Sequence, residues 1–181
     1  MKYKLLSTTY YARVQSVTSA IGSGKNLLNV GCGDGYYNLA LHKRFKKLIG
    51  VDIDADVISV ANKFKKAYHL HNVQYKQVNA EKLPFQKESF GHIICTDVIE
   101  HVDHPVKLLK EIHRVMAKDG VFIITLPNAK YPFLYDPLNY GLRFLTKRFL
   151  SGFGAVAIKG CLLTKRCRNF WKAMGLRLYK H

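Results

Sequence analysis

Three glycines at alternate positions, Gly31, Gly33 and Gly35, follow directly on a short apolar stretch. No other feature constrains the fold of this chain as strongly. The segment from Lys25 to Tyr37 reads K-N-L-L-N-V-G-C-G-D-G-Y-Y. Leu27, Leu28 and Val30 have the continuous apolar character of a parallel strand buried on both faces. A helix is expected from Tyr36 to Lys46, with Tyr37, Leu41 and Phe45 on one stripe and Lys43, Arg44 and Lys46 outside it. Strand, glycine turn and helix together make the nucleotide cradle of a doubly wound α/β domain. Glycine suits the turn because the chain bends sharply and a ligand must lie against bare backbone.

Spacing narrows the nucleotide. A dinucleotide fingerprint, G-x-G-x-x-G/A, needs a third small residue so that helix and strand pack closely. Counted from Gly31, that position is Tyr36, which is too bulky. No Gly-Lys-Ser/Thr follows, so the pattern is not a P-loop either. What remains is G-x-G-x-G.

The rest of the chain alternates strands and helices. An amphipathic helix over 8–21 leads in, with Tyr10, Val14, Val17 and Ile21 on one face, and Gly22, Ser23 and Gly24 end it. A second buried strand covers 48–52 and closes on Asp52. A helix over 55–67 turns Val57, Ile58, Ala61 and Phe64 inward. Strands follow at 73–78, 92–96 and 121–126, the last stopped by Pro127. Between the latter two, Pro105 opens a helix to Ala117 whose inner stripe is Leu108, Leu109, Ile112, Val115 and Met116, with Gly120 closing it. This order predicts a mostly parallel, doubly wound, Rossmann-like sheet with right-handed crossovers.

At 181 residues, nearly half of them apolar, one domain with a real core is the natural count. It divides into a ligand-binding core over 8–128, a lid or acceptor segment over 129–163, and a last helix with the start of a strand over 164–181. The cysteines Cys32, Cys95, Cys161 and Cys167 form no CxxC pair, which fits reduced thiols and a cytoplasmic protein. No signal peptide and no membrane span is expected.

Charge is the unusual quantity. The net charge is +17, and from Pro137 onward ten Lys/Arg stand with no acid. Leu138, Leu142, Leu145 and Phe149 recur at helical spacing in that region, beside Arg143 and Lys147. An apolar stripe flanked by cations suggests peripheral membrane contact through 137–172, with a substrate lid as the alternative and RNA as a third option.

In open α/β sheets, ligands bind beyond the carboxyl ends of the strands at the switch point. Asp52 lies there, about twenty residues past the glycine loop, where a carboxylate can accept both hydrogen bonds of a ribose diol. Asn79, Ala80 and Glu81 follow the third strand, and Asp97, Glu100, His101 and His104 follow the fourth.

Five stretches then resemble, in order, the class I methyltransferases that use S-adenosylmethionine (SAM), especially those with small-molecule and quinone acceptors. They are N-V-G-C-G-D-G (29–35), G-V-D-I-D (50–54), N-A-E-K-L-P-F (79–85), D-V-I-E-H-V (97–102) and K-D-G-V-F-I-I-T-L-P-N (118–128). The resemblance implies a SAM site formed by Asn29, Gly31, Cys32, Gly33, Asp52, Ile53, Asn79, Ala80, Glu81 and Asp97. It also implies seven strands, the last two an antiparallel hairpin. Here the sixth is only begun at 176–179 and the seventh is missing, so a truncated chain with an unpaired fifth strand is expected. The family usually carries acids at Asn29, Asn79 and Gly91, and their absence predicts weaker attraction for a sulfonium.

Simpler readings accompany several of these residues. Asp54 and Asp56 suit helix capping. Cys32 and Cys95 suit small buried positions. His69 and His71 suit solvent, and Tyr36 can pack above the loop. Glu100 and His101 can order the loop after the fourth strand. Alternatively, His101 is a general base for a hydroxyl acceptor, or Asp97, Glu100 and His101 hold a divalent ion, as in certain quinone O-methyltransferases. The function read from the sequence is methyl transfer to a small, apolar or lipid-linked acceptor. The alternatives are a non-catalytic SAM-binding or scaffold protein, and an RNA methyltransferase. An amino-group nucleic-acid enzyme is disfavoured, because Asp97-Val98-Ile99-Glu100 lacks the Asn/Asp-Pro-Pro-aromatic signature.

Overall fold

The computed structural model describes residues 8–128 and 152–159. Helix α1 (Thr8–Ile21) leads into β1 (Gly24–Val30), α2 (Tyr36–Leu41), β2 (Phe45–Asp52), α3 (Ala55–Ala67) and β3 (Val73–Gln77). Then come β4 (Phe90–Cys95), α4 (Pro105–Val115), β5 (Met116–Asn128) and β6 (Gly152–Lys159). The six strands form one sheet in the order β3-β2-β1-β4-β5-β6. All neighbours are parallel except β5 and β6. The chain winds outward from β1 through β2 to β3, then returns to the other side of β1 for β4. That reversal is the switch point.

The strands alternate between two cores because successive side chains leave a strand on opposite faces. Leu28, Val30, Ile49, Val51, Ile93, Cys95, Phe122 and Ile124 face the α4 side, where Leu108, Leu109, Ile112, Val115 and Met116 are buried. Leu27, Leu48, Val73, Ile94 and Ile123 face the other side, with Val14, Val17 and Ile21 of α1 and Tyr37 and Leu41 of α2. A sheet covered on both faces explains the unbroken apolar runs in the sequence. On α3, Ile58 and Ala61 are buried and Val57 and Phe64 half-buried. Asp54 caps that helix, its Oδ1 accepting from the Asp56 amide at 2.7 Å, and Tyr36 packs partly buried on the α2 side.

Several boundaries differ from expectation. Helix α2 ends at Leu41, not Lys46: the Arg44 amide donates to Leu41 O at 2.8 Å and Phe45 opens β2, opposite Gly24. Phe45 stands four residues after Leu41, a spacing that mimics a helical stripe, but its ring packs edge-on to His92 with centroids 5.0 Å apart. Gly120 does not close α4. Phe90 pairs with Met116 and His92 with Val121, so 117–120 bulge out of a strand already begun. A Cβ on Gly120 would come within 2.7 Å of Met116 Cγ, which is why the bulge needs glycine.

The largest difference lies at the far edge. Residues 152–159, expected in a lid or acceptor segment, form the antiparallel strand β6, with Val156 opposite Ile124 and Ile158 opposite Phe122. Pro127 does not stop β5, which runs on to Asn128 opposite Gly152. The fifth strand is therefore not left unpaired. The expected stripe over 138–149 and the last helix and strand over 164–181 fall outside the described residues. Among the described residues, no helix is long and apolar enough to cross a membrane.

Candidate functional site

The glycine loop is fixed by contacts that differ at each glycine. Gly31, Gly33 and Gly35 all have left-handed backbone, with φ of 67°, 52° and 87°, a region that favours glycine. A side chain at Gly31 would collide with Val98, and one at Gly35 with the Tyr75 phenol, whose hydroxyl donates to Gly35 O at 3.2 Å. At Gly33 an added Cβ would meet nothing within 4 Å. Neighbouring side chains thus brace the loop at both ends and leave its middle open.

Asp52 connects this loop to the end of β2. Its Oδ2 accepts from the Gly33 amide at 2.9 Å and its Oδ1 from the Asp54 amide at 3.1 Å. An ionised carboxylate offers about four lone-pair sites, so two remain for a ligand diol.

Across the switch point, β4 ends at Cys95 and the chain turns through Asp97, which holds a left-handed φ of 56°. That conformation costs a non-glycine residue roughly 1–2 kcal/mol, less where a short polar side chain bonds locally. Asp97 bonds to Thr125 on β5: its amide donates to Thr125 Oγ1 at 2.9 Å, and that hydroxyl donates to Asp97 Oδ1 at 2.8 Å. The following residues turn again, the His101 amide donating to Val98 O at 2.9 Å.

These segments enclose a cavity of about 320 Å³. Gly31 and Gly33 line it from the glycine loop, Asp52 and Ile53 from the end of β2, Asn79 and Ala80 from the segment after β3, and Asp97 and His101 from the segment after β4. Val51, Val78, Val98 and Val102 complete an apolar lining. Ile53, which also lines the cavity, is 65% exposed. Asn79 is less free than the sequence suggested, since its Oδ1 already accepts from the Glu81 amide at 2.8 Å.

Three of the expected contact residues stand behind this wall. Asn29 is fully buried and its Nδ2 donates to Asn38 Oδ1 on α2 at 2.6 Å. Cys32 is buried beneath the loop, its amide donating to Val51 O at 2.9 Å, and burial pushes its thiol far above the ordinary range. Glu81 accepts from the His104 amide at 2.9 Å, with Lys107 Nζ 3.9 Å away, which ties the loop after β3 to the start of α4. The proposed ion site is not assembled either. Among the described residues, no group of three His, Cys, Asp or Glu side chains could hold a metal ion, and Asp97, Glu100 and His101 are no exception.

Sequence reasoning missed Tyr75, Val98 and Thr125. Thr125 did carry a signal, because a hydroxyl inside the apolar run V-F-I-I-T-L must find a partner once buried. Tyr75 and Val98 gave none, since their importance depends on which glycine they meet.

A doubly wound sheet in this order, with a glycine loop after β1, an acid ending β2 and a cavity over the switch point, is a Rossmann-like arrangement. Its likeness to solved structures makes it the class I SAM-dependent methyltransferase fold. The chain belongs to the methyltransferase-domain family, whose model, described as "Methyltransferase domain", matches residues 28–124, just over half of the sequence. It is 34% identical over 98 residues to the uncharacterized methyltransferase YcgJ of Bacillus subtilis (strain 168), covering 54% of this chain and 39% of that protein. The crystal structure of YcgJ superposes with a TM-score of 0.67 at 25% identity, over 91% of this chain and 66% of that one. A ubiquinone biosynthesis O-methyltransferase of Glaesserella parasuis is 29% identical over 151 residues, covering 79% of this chain and 63% of that protein. A tRNA U34 carboxymethyltransferase of Campylobacter curvus is 36% identical over 107 residues, covering 57% and 35%. The chain thus spans between about a third and just under two thirds of the length of these curated relatives.

Proposed function

We propose that this chain binds SAM in the cavity over the switch point and transfers its methyl group to a small, apolar or lipid-linked acceptor. The observation that carries the reading is the open space above Gly33, facing Asp52 across the loop and bounded by Asp97. A nucleoside can approach the bare backbone there, its diol meeting the two remaining lone-pair sites of Asp52. The two carboxylates favour a ligand with cationic groups, and Ile53, Val78 and Ala80 give an aromatic base an apolar bed. The donor, when bound, supplies a methyl already activated by a positive sulfur. The protein's part is alignment of the acceptor nucleophile with that methyl, and exclusion of water. His101 lines the cavity, and in this reading it takes the proton from a hydroxyl acceptor.

The acceptor reading draws support from the likeness to an O-methyltransferase of ubiquinone biosynthesis over 79% of the chain. The likeness to a tRNA-modifying enzyme keeps RNA as the competing acceptor class. Calorimetry with SAM, S-adenosylhomocysteine, NAD and ATP tests the donor site: the first two should bind, and tighter NAD binding would overturn the reading. With a phenol or quinol acceptor, His101→Ala should lower turnover by about two orders of magnitude and leave S-adenosylhomocysteine affinity nearly unchanged. Unaltered turnover would return His101 to a purely loop-ordering role. Binding of SAM without turnover on either acceptor class would favour the non-catalytic reading.

A further inference from the structure

We propose that Thr125, which lies outside the cavity, is a positioning residue that sets its far wall through Asp97. The inference rests on reading the cavity as the SAM site. Thr125 is fully buried on β5, and its hydroxyl is used in both directions, accepting from the Asp97 amide and donating to Asp97 Oδ1. These two bonds hold a non-glycine residue in left-handed backbone at the point where the chain leaves β4.

The direction of that turn has consequences on both sides. Val98, the next residue, is laid against Gly31 so closely that no Cβ fits between them. The turn closed by the His101 amide on Val98 O then swings His101 and Val102 onto the cavity. One hydroxyl on β5 therefore contributes to where the 97–102 wall stands relative to the glycine loop. A residue of the same shape without the hydroxyl, valine, would keep the packing and release the wall. Asp97 would then lose both bonds that Thr125 gives its left-handed turn, and relaxation toward extended backbone would lift Val98 from Gly31.

Thr125→Val and Thr125→Ser separate the hydroxyl from the volume. S-adenosylhomocysteine affinity by calorimetry should fall about tenfold or more in Thr125→Val and return to within about threefold of wild type in Thr125→Ser. Equal affinity in Thr125→Val and wild type would overturn the proposal, as would a serine variant as weak as the valine one. A ligand-free readout covers failure of the donor-site reading itself. The His101 ring resonances in a proton–carbon spectrum should shift in Thr125→Val and return in Thr125→Ser. If wild type binds no S-adenosylhomocysteine, that spectrum decides: unmoved His101 signals in Thr125→Val sink the positioning role, and moved signals restored by serine sustain it.

Discussion

Gly31 and Gly33 share a left-handed backbone, yet substitution should fail at each for a different reason. Alanine at either position is strained, on the order of 1–2 kcal/mol. At Gly31 the new methyl would also run into Val98, which packs partly buried against the core beside α4, so Gly31→Ala should lower the melting temperature markedly. At Gly33 the methyl would enter open space. Gly33→Ala should therefore cost little beyond the strain while obstructing the ligand, and lose more in S-adenosylhomocysteine affinity than in stability. Thermal melts paired with calorimetry check this, and a Gly33→Ala protein that binds normally would contradict the proposed cradle. Asp52→Ala should weaken SAM by about 1.5–3 kcal/mol, the scale of hydrogen bonds to a charged group. The sequence revealed Asp52 through its distance from the glycine loop. It could not reveal that Asp52 also latches Gly33, because that depends on how two strand ends lie in space. Asn29 illustrates the converse: its place in the motif suggested a ligand contact, but strand alternation turns it inward to Asn38.

At the scale of elements, buried strands were legible because each is an apolar run bounded by turn residues, and α4 because Leu108, Leu109, Ile112 and Val115 follow one helical period. Met116, expected on the same stripe, instead opens β5. Boundaries were less so. Phe45 satisfies a helical spacing and a strand position at once, and only pairing with β1 decides between them. Strand β6 was hidden because G-F-G-A-V-A-I-K carries two glycines and little alternation of polarity, so its partner β5 does more to specify it than its own sequence. Element joints were invisible as well. Glu111 on α4 accepts from the Leu83 amide at 2.8 Å and from Arg114, whose guanidinium also donates to Leu83 O and Phe85 O at 2.8 and 2.7 Å. This knot holds the segment between β3 and β4 against α4. The Arg114 hydrogen bond, with help from the Leu83 amide, holds the Glu111 carboxyl below its usual 4.5. A depressed carboxyl contributes stability that is fully present above about pH 4.5 and is lost as pH falls through the lower folded value. Glu111→Gln should thus destabilise the protein by about 1–2 kcal/mol at pH 7. Its deficit relative to wild type should shrink as the pH falls below the carboxyl's ordinary 4.5 and through its lower folded value. Denaturant melts across that range measure it, and a deficit independent of pH would assign the effect to packing.

For the whole molecule, the open question is what so much positive charge faces. The net charge is +17, and the ten Lys/Arg beyond Pro137 have no acid among them. Strand β6 takes 152–159 into the sheet, so an interfacial surface cannot run unbroken through 137–172. It divides into the stripe of Leu138, Leu142, Leu145 and Phe149 and the cluster of Lys165, Arg166, Arg168 and Lys172, both outside the described residues. In the sequence, Arg143 and Lys147 fall beside the residues of that stripe. Each cation near an anionic bilayer contributes about 1 kcal/mol, and the aliphatic stripe adds apolar burial that phosphate-rich RNA does not offer. Binding should therefore need both negative lipid and low to moderate salt. Co-sedimentation with neutral and anionic liposomes at two salt concentrations tests this, with Arg143→Glu/Lys147→Glu as the matched variant. Salt-sensitive sedimentation with anionic vesicles alone, lost in that variant, is the expected result. No sedimentation with either vesicle would assign the stripe to a lid over the acceptor, packed on the protein itself. Displacement of the anionic vesicles by RNA but not by free phosphate would instead favour a nucleic-acid acceptor, because a polyanion releases many counterions at once and a single phosphate does not.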